Sequence, residues 1–237
     1  MTRERWDGRG AVSALALTLA LSGAAPALAQ TPSAQTRSDE AVWTALSMRG
    51  PLTETESWRW SADTLARSRD GVNMLDFLFE YVMVTRGVGE HATVGFAYAF
   101  GAGFLETGTL LEHRAAQQLT WAYGRRTRVS LRTLLEERFI SGRDSVLLRA
   151  REQVKVAWPL VSRGRFTGIV SDEVLVQADA RRVSTAVLDG NRLFVGVGRR
   201  LMPRSAMEVG YLNVLARPGS HGHRRSHALS LSLATTL

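Results

Sequence analysis

His227-Ala228-Leu229-Ser230-Leu231-Ser232-Leu233-Ala234 alternates apolar residues with small or polar ones over the length of a strand. Successive side chains of a strand point to opposite faces, so the pattern predicts one greasy face and one wet face. The same reading extends upstream. In Glu56 to Asp63, Trp58, Trp60 and Ala62 take every second position, and in Thr93 to Phe100, Val94, Phe96, Tyr98 and Phe100 alternate with Thr93, Gly95, Ala97 and Ala99. Less regular strands are expected at about 41–48, 72–86, 108–123, 128–140, 146–160, 167–178, 191–202 and 205–216.

Turn signals separate these segments: Gly87-Val88-Gly89, Gly124, Ser141-Gly142, Ser162-Arg163-Gly164, Asp189-Gly190, Met202-Pro203 and Arg217-Pro218-Gly219. No segment carries a sustained helical stripe, which argues against a mixed α/β fold. The reading is all-β: a single antiparallel up-and-down β-barrel of the outer-membrane type. Eleven segments qualify as strands, but bacterial barrels of this kind have even strand numbers, so 10 or 12 strands are expected. Connections near Gly87, Gly124, Arg163 and Pro203 read as tight, and those near 102–107, 179–189 and 217–223 as longer. Short turns belong on the periplasmic side and longer loops outside.

The N-terminus supplies the address. Met1 to Gly10 carries Arg3, Arg5 and Arg9, Ala11 to Ala25 is small and apolar, and Pro26-Ala27-Leu28-Ala29 precedes Gln30. This order is that of a secretory signal peptide, and its apolar core is shorter than a spanning helix needs. The expected organisation is a signal peptide at 1–29, a linker at 30–40 and the barrel at 41–237, located in the outer membrane. The formal charge is +8 and Lys155 is the only lysine. A pI near 11 raises nucleic acid as a partner, but an exported chain does not meet it. The absence of cysteine excludes disulfides and thiolate metal sites. The expected partners are outer-membrane lipid and the barrel assembly machinery.

Several ordered motifs lie on these strands: Glu112-His113-Arg114 with Gln118, Leu135-Glu136-Glu137-Arg138-Phe139, Val170-Ser171-Asp172-Glu173, Asn191-Arg192-Leu193-Phe194-Val195-Gly196, Val209-Gly210-Tyr211-Leu212-Asn213, and His227 before the alternating leucines. Over about residues 41 to 237 the chain resembles DUF2490, a bacterial family of unknown function. The resemblance implies a secreted, outer-membrane-like barrel and brings no established activity with it.

The inward parity carries the chemistry. Arg132, Glu136 and Arg138 share one face of their strand, as do Arg149, Arg151, Gln153 and Lys155 on the next; Glu112, Arg114, Gln118, Glu173 and Arg192 come from neighbouring strands. Buried charges persist when paired, and arginine bridges carboxylates with its fork of donors. A lumen closed by Arg/Glu ion pairs is therefore expected. The same residues also admit a small-anion passage in which unpaired Arg149, Arg151 and Lys155 set selectivity.

A lipid-modifying hydrolase is a further alternative, drawing on His227, Ser230, Ser232, Glu208 and Asn213, although no nucleophile-elbow pattern is present. A soluble periplasmic lipocalin-like binder is another; outward Trp58, Trp60, Phe96, Tyr98 and Trp158 argue against it. His221 and His223 read as a loop tip and His227 as a hydrogen-bonding residue inside the wall. The Gly101-Ala102-Gly103 and Gly196-Val197-Gly198 pieces open no helix, so they read as close backbone approaches and not as a phosphate cradle. No cofactor is implied. Arg67, Arg69, Arg143, Arg181, Arg182, Arg224 and Arg225 fall in connections assigned to the outside, within reach of lipopolysaccharide phosphates.

Overall fold

The computed structural model describes residues 37–55, 57–70, 73–160, 165–219 and 222–237. The expected signal peptide, His221 and the side chain of His223 lie outside the described residues. Residues Gln35–Leu237 form one compact unit. Its strands are β1 (Arg37–Pro51), β2 (Trp58–Arg69), β3 (Met74–Val88), β4 (Ala92–Leu105), β5 (Gly108–Tyr123), β6 (Arg128–Ile140), β7 (Leu147–Pro159), β8 (Phe166–Asp179), β9 (Arg182–Met202), β10 (Ser205–Gly219) and β11 (Gly222–Thr236).

Each strand pairs with its neighbours in sequence, and β1 pairs with β11 to close the barrel. Among the described residues the closed barrel has eleven strands, not 10 or 12. The segment around 41–48 belongs to the wall. It is a full-length strand that starts inside the stretch read as linker and runs parallel to β11, from Arg37 opposite Arg224 to Arg49 opposite Thr236. An odd number of alternating strands can close only through one such parallel pair.

The register sets the dimensions. Stepping from Pro51 to successive paired residues Arg59, Thr85, Gly95, Gln118, Leu134, Arg151, Leu175, Gly190, Ala216 and Arg224 returns to β1 at Arg37. That stagger of about 14 residues, with a rise of ~3.3 Å and a strand spacing of ~4.8 Å, tilts the strands by roughly 40° and gives a backbone radius of about 11 Å. Such a lumen is wide enough to need filling and narrow enough for side chains to fill it.

Connections are short at both rims. Among the described residues strand replaces much of the expected longer loops: β4 runs to Leu105 and β5 starts at Gly108, β8 runs to Asp179 and β9 starts at Arg182, and β10 runs to Gly219 and β11 starts at Gly222. The strands continue through the polar stretches that read as loops. Asp189-Gly190, read as a turn, lies inside β9, where the pairing with β8 skips one residue between Leu175 and Val176. A bulge absorbs the extra residue and leaves the strand continuous. Gly124 and Gly142 do sit in turns, with φ of 94° and 74°.

The two faces are sharply distinguished. Phe96, Tyr98, Leu135, Val195 and Leu229 stand exposed on the outside, whereas Ala99, Leu134 and Ala228 are buried inside. At the rim where β1 ends, here the distal rim, Trp58, Trp60, Trp121, Tyr123, Trp158 and Phe166 lie at or beside strand termini, forming an aromatic band. Three outward carboxylates interrupt the apolar face near mid-strand, each holding a donor from the adjoining strand: Thr64 donates to Glu80 at 2.8 Å, Thr133 to Glu152 at 2.9 Å and Asn191 to Asp172 at 2.8 Å.

Candidate functional site: a charged plug across the lumen

The inward face of β5 to β9 builds a continuous ion-pair network. Strand alternation places Glu112 and Arg114 of β5, Glu136 and Arg138 of β6, Arg149 and Arg151 of β7, Glu173 of β8 and Arg192 of β9 on one side of the wall. Glu136 has no exposed side-chain surface and is held by Arg149 at 2.6 Å, Arg151 at 3.3 Å and Arg114 at 3.5 Å. Arg151 also grips Glu173 in a fork at 2.7 and 3.0 Å, and Glu173 receives Arg132 at 2.7 Å and Arg192 at 3.2 Å. Glu112 takes Arg114 through both oxygens, at 2.8 and 2.9 Å, and Arg138 beside it. Arg138 donates to Gln177 as well.

Aromatic rings finish the plug from the other side. Arg114 lies over Phe79 at 4.4 Å, and Arg192 over Trp43 at 5.3 Å. Arg67 pairs with buried Asp76 and sits between Trp43 and Phe77. Six arginines of the network face three glutamates, with Asp189 3.7 Å from Arg149. The ring faces take up part of this positive excess through their negative quadrupoles.

Nine of the eleven residues expected in the lumen network are in it; Gln118 and Lys155 are not. Gln118 donates to Thr120 at 3.2 Å. Lys155 crosses the lumen to Glu208 of β10 at 2.9 Å, where both side chains keep about a third of their surface, 34% and 35%. The Lys155–Glu208 pair, toward the distal rim, is therefore wetter than the plug. Arg149, Arg151 and Lys155, expected to be unpaired in an anion passage, each hold a carboxylate. Changing Lys155 to Met is expected to cost about 1 kcal/mol or less, because a partly exposed pair is screened by water; the urea midpoint of the refolded barrel measures it.

The residues considered for hydrolysis do not converge. Ser230, Ser232 and Glu208 share the inward parity, whereas His227 and Asn213 face outward, where His227 and Asn213 both bond the Tyr211 hydroxyl. His227 was expected inside the wall; its odd position in β11, next to buried Ala228, puts it outside. A matching Tyr98–His113 pair occupies β4 and β5. Of the arginines read as outward-facing loop charges, Arg67 is in the buried pair with Asp76, and Arg181 donates to the Asp144 carbonyl at 2.9 Å. The side chain of Arg224 lies outside the described residues.

A family model described as a protein of unknown function, DUF2490, matches residues 40–222. The chain belongs to the DUF2490 family. This DUF2490 protein is also 28% identical over 207 residues to an uncharacterized protein of Methylorubrum extorquens, an alignment covering 85% of this chain and 89% of the relative. The family match spans β1 to the start of β11 and therefore includes every residue of the plug.

Proposed function

We propose that this DUF2490 protein is a closed outer-membrane barrel with an envelope-structural role, its lumen sealed by the Arg/Glu plug. The carrying observation is Glu136, fully buried at the centre of three guanidinium contacts contributed by β5 and β7. A pore needs a polar path that ions can enter and leave, and a cross-lumen lattice of paired charges removes it. Membrane placement is supported by the outward apolar residues, by the aromatic band at the distal rim and by the signal-peptide pattern of residues 1–29. Assigning the distal rim to the periplasm is supported by the last strand, which ends at that rim.

A second reading, a soluble periplasmic binder, is favoured by Glu80, Glu152 and Asp172, carboxylates on the outer face that a lipid-covered wall tolerates at a cost. Cell fractionation with heat-modifiable gel migration separates the two. Recovery in outer membranes as a heat-modifiable band, with no unitary conductance in planar bilayers, is the expected result. A soluble periplasmic product would replace the first reading with the second, and discrete channels would remove the seal.

A further inference from the structure

The sequence directs attention to arginines at the rim where β1 begins, yet the least neutralised cluster is at the distal rim. Arg165 precedes β8, Arg199 and Arg200 lie near the end of β9, and Arg204 lies between β9 and β10. All four are exposed. Among the described residues none of them has a carboxylate partner. The backbone holds them together: Phe166 pairs with Arg199, and the Arg200 N–H donates to the Arg165 carbonyl at 3.2 Å.

Position gives this cluster its meaning. Arg199 has outward parity and lies 5.4 Å over the ring of Phe166, within the aromatic band that also holds Trp158. Aromatic bands lie at the headgroup level of a bilayer, with the phosphates just beyond. Guanidinium groups at that level meet phosphate through charge-assisted, often paired, hydrogen bonds. Arg125 and Arg126, between β5 and β6, extend the positive rim further around the barrel. An acidic protein would also meet positive charge, but it gives no reason for Arg199 to lie over an aromatic ring at the wall.

We propose that Arg165, Arg199 and Arg204, with Phe166, form a binding site for the phosphate of an anionic phospholipid in the leaflet at the distal rim, while Arg200, on the lumen-side parity of β9, only ties Arg165 to the strand through its backbone. The proposal rests on the membrane placement above. The site would hold a phosphatidylglycerol or cardiolipin headgroup against the ends of β8 and β9 and fix the depth at which the barrel rides.

The test uses the full mature chain refolded into nanodiscs containing phosphatidylcholine with a minority of cardiolipin, and native mass spectrometry reads the lipids retained. Cardiolipin enrichment is expected, falling on the order of tenfold or more in the R165Q/R199Q/R204Q variant, since each basic group near an anionic surface contributes several-fold. Heat-modifiable migration of the variant confirms that it is folded; should it fail to fold, the single variants R199Q and R204Q carry the comparison, each expected to lose several-fold enrichment. Equal retention by wild type and variants would overturn the site, as would no enrichment in a barrel that inserts normally. Retention of lipopolysaccharide alone, in a parallel disc containing it, would overturn the choice of lipid. Failure of the chain to insert into any disc would overturn the membrane placement and this site with it.

Discussion

Replacing Glu136 with Gln destabilises the barrel by about 3 to 5 kcal/mol, the loss expected when one partner is removed from a buried ionic cluster. The carboxylate takes hydrogen bonds from Arg149 at 2.6 Å and Arg151 at 3.3 Å, and Arg114 lies 3.5 Å away. The amide keeps one acceptor oxygen, turns an N–H₂ toward guanidinium donors and removes a negative charge from a cluster already rich in arginine. A drop in the temperature at which the compact band converts to the extended one is the measurement. Lys155→Met, in the wetter pair, serves as the comparison with a small expected loss. If Glu136→Gln and Lys155→Met convert at the same temperature, the plug does not hold the barrel together.

Gly210→Val is expected to cost about 3 kcal/mol or more, at the upper end of what overpacking does. Gly210 pairs with Gly196 across β10 and β9. A Cβ built on Gly210 would lie 2.4 Å from the Val195 carbonyl oxygen, 2.6 Å from the Gly196 Cα and 2.8 Å from the Phe194 ring. Two of these three contacts are backbone, which moves only by distorting the ladder. At Gly87 an added Cβ meets nothing within 4 Å, so Gly87→Ala should change stability by no more than about 0.5 kcal/mol. Denaturant unfolding of the two variants side by side gives the contrast, and a Gly210→Val barrel as stable as wild type would show that β9 and β10 can separate without penalty.

The polar parity was readable from sequence because it depends only on counting by twos. Once Leu131, Leu135 and Phe139 face out, Arg132, Glu136 and Arg138 face in, and their partners on β5, β7 and β8 follow. The close approach at Gly196 was readable for a similar reason: a strand without a side chain invites a neighbour. The aromatic half of the plug was not readable. Met74 to Val84 is apolar at nearly every position, so alternation does not say which of Phe77, Leu78 and Phe79 enters the lumen.

Strand ends are not legible for another reason, whereas the eleven periodic segments are the eleven strands and only the even-number rule moves the expectation to 10 or 12. Asp189-Gly190 and the polar stretches near 106, 181 and 220 carry turn chemistry, yet cross-strand pairing continues up to or through them. Local propensity gives way to the ladder once a neighbour supplies partners for the backbone. His227 faces outward because it shares the parity of Leu229, Leu231 and Leu233 in β11.

The parallel seam between β1 and β11 gives the molecule two addresses. In a barrel with an even number of strands both chain ends leave on the same side of the wall. Here the wall is entered at Arg37 on one side and left at Thr236 on the other. A peptide tag placed just ahead of the barrel and one placed after Leu237 would therefore stand at opposite rims and, in the membrane placement proposed above, answer to proteases or antibodies on opposite sides of the bilayer. One chain of this architecture can present a tether to each compartment without any segment threading its own lumen.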